Sequence, residues 1–155
     1  MNAQDFKNFE TKKELVDWLI RTGRIQKRSE AEKWMRKNIP PESKYQREII
    51  HYLSWLGHRC CCWKVHEGGY MKSGIPDINA VICGEFWAFE VKRPFLGVVS
   101  PLQRQMMDNI NAAGGHAAVV SYVEEVEQLL MPLLRKEGIY GRNKEHAAGS
   151  EQPSV

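Results

Sequence analysis

The chain has 155 residues, with 43% hydrophobic and 26% charged side chains, ordinary proportions for one globular domain that can bury a proper core. A formal net charge of +3 permits a local basic surface but does not by itself argue for nucleic acid. No stretch approaches the roughly 20 apolar residues that span a bilayer, and Met1 to Glu10 lacks the apolar region of a signal peptide, so an intracellular, cytoplasmic location is expected.

Thr11-Lys12-Lys13-Glu14 reads as a capping box opening a helix with Leu15, Val16, Leu19 and Ile20 on one face, and Gly23 suits its end. Ser29-Glu30-Ala31-Glu32 reads as a second box before a short helix that Pro40 and Pro41 stop. Residues 1–40 therefore form a helical appendage, rich in Lys and Arg, that could cover a face of the main fold, form a dimer surface or guide a substrate. From Glu42 to Leu56 the apolar positions Tyr45, Ile49, Tyr52, Leu53 and Leu56 recur at helical spacing, with Glu42 and Gln46 near the centre of that stripe.

His58 to His66 reads as a strand carrying Cys60, Cys61 and Cys62. With Cys83 these match neither zinc-ligand nor disulfide spacing, and buried free thiols are expected. Glu67 to Ser73 reads as a loop leading into two β-branched and aromatic runs, Ile78–Cys83 and Phe86–Val91. Ser100-Pro101-Leu102-Gln103 has the N-cap serine, first-turn proline and third-position glutamine of a helix start. That helix ends at Gly114-Gly115, His116 to Tyr122 is an apolar strand, and Ser121-Tyr122-Val123-Glu124 caps a last helix. The stretch 137–155 reads as a disordered tail, which leaves 41–136 as the core domain. The order helix-strand-strand-strand-helix-strand-helix, with a long crossover before the last strand, predicts an α/β layer: a small mixed sheet flanked by helices.

With Gly84-Glu85 as a two-residue turn, pairing sets Cys83 opposite Phe86, Asn79 opposite Glu90 and Asp77 opposite Lys92. Period-two alternation then brings Asp77, Glu90 and Lys92 out on one face at one end of the hairpin. Two carboxylates and an ammonium on an otherwise apolar hairpin are expensive to desolvate unless they hold something, most simply a divalent cation. Hard oxygen ligands from Asp77 and Glu90, with the Val91 carbonyl if the sheet edge is open there, suit magnesium or manganese rather than zinc. Lys92 could orient a water, act as a base if its pKa is depressed, or neutralise developing charge.

Pro76-Asp77 followed by Glu90-Val91-Lys92 on the next strand resembles the PD-(D/E)XK nuclease signature, and the details are closer to its VRR-NUC branch. They are Glu42 with Gln46 on a leading helix, Gly74-Ile75-Pro76-Asp77, Phe89-Glu90-Val91-Lys92-Arg93-Pro94, Ser100-Pro101-Leu102-Gln103, and Gly114-Gly115 before the final strand. The resemblance covers Glu42 to Leu130. It implies a restriction-endonuclease-like fold that cleaves DNA phosphodiesters with Mg²⁺ or Mn²⁺, with Asp77 and Glu90 as metal ligands, Lys92 as catalytic lysine and Gln103 as an active-site helper. Some members place a glutamate where Gln46 stands, so either Glu42 is the further ligand or Gln46 replaces it, with one negative charge fewer for a second metal.

Lys64, Lys72, Arg93 and Arg104 flank the expected site in sequence and are candidate phosphate contacts. No base-reading helix or stacking platform is evident, so a structure-selective endonuclease acting on branched, flapped or junction DNA is expected. The alternatives are a sequence-specific restriction-type nuclease and a catalytically idle module that grips DNA or protein. Cutting both arms of a junction calls for two symmetric sites, hence a homodimer. Phage origin is an expectation of the resemblance alone.

Overall fold

One tight turn sets the register of the sheet. In the computed structural model, which describes residues 3–65 and 74–139, strands β2 (Ile78–Ile82) and β3 (Glu85–Val91) are antiparallel, with Ile82 opposite Glu85 and Ile78 opposite Phe89. The turn is Cys83-Gly84, one residue earlier than Gly84-Glu85. A two-residue turn of type I′ needs positive φ at both central positions, and these are 50° at Cys83 and 86° at Gly84. Glu85 instead opens the strand, so Asn79 faces Ala88 and not Glu90. The slip moves each cross-strand pair by an even number of residues, which leaves every side chain on the face expected for it.

Strand β1 (Cys60–Lys64) adds antiparallel to β2, and β4 (His116–Val120) adds parallel to β3, giving the order β1-β2-β3-β4. Between β3 and β4 runs α4 (Pro101–Ala112), the crossover that a parallel pair requires. Helices α3 (Glu42–Ser54) and α5 (Val123–Lys136) bury Tyr45, Ile49, Leu53, Val126 and Leu130 with Ile78, Ala80, Ile82 and Phe89 on one face of the sheet. Helix α4 lies along β4 on the other face, where Ala88 and Met107 are buried apart from that core. The result is the small mixed sheet between helices that the element order predicts.

Ahead of the sheet come α1 (Lys12–Arg21), with the Thr11/Glu14 capping box in place, and α2 (Ala31–Asn38). The second box differs from expectation. Glu30, not Glu32, reaches back to accept from the N–H groups of Gln26 and Lys27, because Arg28–Glu30 forms a 3₁₀ turn ahead of α2, while Glu32 pairs with Arg36. Phe6, Leu15, Leu19, Met35 and Ile39 join the same cluster of buried residues as α3 and the sheet.

The cysteines are free thiols. Cys61 is exposed, contrary to expectation, since it lies on the face of β1 that no helix covers, while Cys60, Cys62 and Cys83 are half-buried. Burial pushes the Cys60 thiol up to about 12. No helix among the described residues is long and apolar enough to cross a membrane. The Glu67–Ser73 loop and most of the 137–155 tail lie outside the described residues.

Candidate metal centre

The strand ends create the site. Continuing the β2–β3 register one residue past Ile78–Phe89 sets Asp77 directly across from Glu90, and a second step sets Pro76 across from Val91. Proline has no N–H, so the ladder cannot supply a donor to the Val91 carbonyl there. The Val91 N–H, which a further rung would direct to the Pro76 carbonyl, instead donates to Asp77 Oδ2 at 2.8 Å. The Pro-Asp pair thus ends the sheet, holds the Asp77 carboxylate on the Val91 N–H and leaves the Val91 carbonyl without its ladder donor.

Glu90 is 0% exposed. Its Oε1 lies 2.6 Å from Lys92 Nζ and accepts from Gln103 Nε2 at 2.5 Å, while Oε2 is buried with no hydrogen-bond partner among the described residues. Gln103 has two roles: its Oε1 accepts from the Ser100 N–H at 2.8 Å, closing the capping box, and its amide nitrogen serves Glu90. Helix capping and carboxylate orientation are therefore one structure, with the Ser100 hydroxyl accepting from the Gln103 N–H. From the leading helix, Gln46 is buried with its amide beside the Asp77 carboxylate, whose pKa it helps to hold down, and Glu42 Oε2 accepts from the Arg93 N–H at 3.3 Å. Of the two candidates on that helix, the amide meets Asp77 and the carboxylate stands at the rim.

Burial pushes the pKa of Asp77 up, against the Val91 N–H, Lys92, Lys64 and Gln46. Burial also pushes Glu90 up, and the nearby charges of Asp77 and Glu42 add to this against the pull of Lys92. Burial disfavours the Lys92 ammonium, but its bond to Glu90 and the charges of Glu90, Glu42 and Asp77 outweigh that, and the net shift is upward. Lys92 is held as a cation, so the depressed pKa that a base would need is not what this arrangement gives.

The donor set fits a hard divalent cation: a carboxylate oxygen without a partner, a second carboxylate across the strand pair, and a backbone carbonyl lacking its ladder donor. A cation there would offset the mutual repulsion of the carboxylates and satisfy the orphaned oxygen. Among the described residues no group of three or more His, Cys, Asp or Glu side chains is placed to hold a metal, so water would have to complete the shell.

The candidate phosphate contacts part company. Lys64 is exposed and its charge reaches Asp77, and Arg104 is exposed on α4. Arg93 does not stand free: its guanidinium donates to the carbonyls of Arg36, at 2.6 Å, and Ile39, satisfying groups that the end of α2 leaves open. Lys72 lies outside the described residues.

Three residues have roles that the sequence did not announce. Ser121 donates its hydroxyl to the Lys92 carbonyl at 2.8 Å and is not the cap of α5, where Tyr122 stands at the N-cap and Glu125 accepts from both N–H groups. A Cβ on Gly97 would sit 2.7 Å from Lys92 Cβ, and one on Gly74, at φ +90°, would sit 2.8 Å from the Leu102 backbone. Gly74 thereby lets the segment entering Asp77 lie directly on the first turn of α4. Its place before Ile75-Pro76-Asp77 was the available signal; for Ser121 and Gly97 there was none.

No family model matches the chain, and no curated protein matches it. A solved structure described as "VRR_NUC domain" is similar to it, at 24% identity and a TM-score of 0.49, covering 58% of this chain and 94% of that one.

Proposed function

We propose that the protein is a Mg²⁺- or Mn²⁺-dependent endonuclease that hydrolyses DNA phosphodiesters and is selective for branched, flapped or junction structures. The observation that carries this is the end of the β2–β3 pair, where Asp77 and Glu90 share a face with Lys92 on Glu90 and the second Glu90 oxygen unpartnered. Asp77, Glu90 and the Val91 carbonyl would hold the ion. When bound, it supplies the positive charge that polarises a phosphoryl oxygen and acidifies a nearby water.

The chain's own residues do the rest. Gln103 fixes the orientation of Glu90, and Ser121 pins the backbone at Lys92. The Lys92 ammonium is placed to neutralise charge that develops on the phosphoryl group, a preorganised role that needs no movement of the side chain. Exposed Lys64 and Arg104 would meet backbone phosphates, contacts that set register without reading sequence.

One observation favours the idle-module reading. Gln46, buried beside Asp77, is an amide, so the leading helix puts no carboxylate there, and Glu42 has one oxygen held by the Arg93 N–H. Incubating the purified chain with branched, nicked and linear duplex DNA, with Mg²⁺, Mn²⁺ or chelator, separates the readings. Metal-dependent cutting, fastest on branched DNA, is expected. A defined cut site on linear duplex indicates a restriction-type enzyme, and tight binding without any cutting indicates the idle module.

A further inference from the structure

The positive excess of this chain is confined to its first 40 residues, which hold ten basic and six acidic side chains, while the remaining 115 hold twelve and thirteen. Most of those N-terminal acids are engaged locally. Glu14 accepts from the N–H groups of Glu10 and Thr11, and Glu30 from those of Gln26 and Lys27. Asp17 pairs with Arg28 and Glu32 with Arg36. The outward face of α2 is left with Lys33 and Lys37, exposed, about 6 Å apart on neighbouring turns and without an ion-pair partner among the described residues.

The face is tied to the candidate centre through covalent neighbours. Arg93 directly follows Lys92. Its guanidinium holds the carbonyls of Arg36 and Ile39, and its N–H is held by Glu42. The last turn of α2 is thus fixed at the rim of the opening that contains Asp77 and Glu90. Its outward positions are Glu32, Lys33, Arg36 and Lys37, all exposed and none apolar, which gives it nothing to insert into a bilayer or an apolar protein groove.

We propose that Lys33 and Lys37 form a backbone-phosphate contact that grips the duplex arm beside the scissile phosphate. This rests on the DNA reading given above and names where the substrate lies. Contacts of this kind are sequence-independent and release counterions, so each makes affinity more salt-dependent.

The test is binding of the full-length chain to a labelled duplex in chelator, measured by fluorescence anisotropy over a salt series. The expected result is that Lys33→Gln/Lys37→Gln weakens binding and flattens the log-log salt slope by about 0.9 for each contact removed. The Lys33→Arg/Lys37→Arg chain should keep the slope. Lys136→Gln, at the far end of α5, should leave it unchanged. Circular dichroism checks that each variant is folded. Equal slopes for the wild-type and Lys33→Gln/Lys37→Gln chains would overturn this surface and leave the nuclease reading standing. No duplex binding by the wild type would overturn the DNA reading itself.

Discussion

Replacing Lys92 by methionine keeps most of the side-chain volume and removes the charge that faces Glu90. The Glu90 side chain is 1% exposed and that of Lys92 15%. After the change, Glu90 keeps one donor, the Gln103 amide, and lies near the Asp77 carboxylate with Oε2 still unpartnered. Removing one partner of a buried ion pair costs about 3–5 kcal/mol, and the partial exposure of Lys92 places this case near 3. For a chain of this size that is a fall of about 6–12 °C in melting temperature, read by urea or thermal denaturation in chelator. Glu90 already has a raised pKa, and losing Lys92 raises it further. The folded state then binds more protons than the unfolded one, so the penalty is larger at pH 8 than at pH 5. Lys92→Met/Glu90→Gln should recover most of the stability, since neither charge remains, and none of the cleavage. Mn²⁺ should stabilise Lys92→Met more than wild type. A Lys92→Met chain as stable as wild type in chelator, or a double variant less stable than the single one, would refute this account of the pair.

Asp77→Asn retains an acceptor for the Val91 N–H, so it should melt within a few degrees of wild type yet lose at least ~100-fold in cleavage rate. Ser100→Ala should cost about 1 kcal/mol of stability through the cap and leave Mn²⁺ affinity intact, while Gln103→Ala, which also frees Glu90, should lower Mn²⁺ affinity in calorimetry. Gly74→Ala should destabilise by more than ~1 kcal/mol, the cost of positive φ alone, because the new methyl meets the Leu102 backbone. Gln46→Glu adds a carboxylate beside Asp77, so it should lower stability in chelator and raise Mn²⁺ affinity.

The element order and the face shared by Asp77, Glu90 and Lys92 were legible because period-two alternation survives an even slip in register. The turn itself was not, because nothing about Cys83 in the sequence signals a positive φ; the neighbouring glycine drew the turn one residue too far. Gln103 illustrates a different limit. Its spacing from Ser100 announced a cap, and only the packing of α4 beside β3 shows the same amide reaching Glu90 with its other end. Arg93 reads as a free cation next to a site, yet the open carbonyls at the end of α2, distant in sequence, engage it. Helical periodicity likewise revealed the apolar stripe of α1 but not that it, with α2, joins the core of the sheet.

A crystal soaked in manganese, with the ion located by its anomalous scattering, tests the centre most directly. One peak is expected within about 2.3 Å of oxygens from Asp77, Glu90 and the Val91 carbonyl, at six-coordinate, mostly water-completed geometry. A peak elsewhere, or one that engages only one of the two carboxylates, would contradict it.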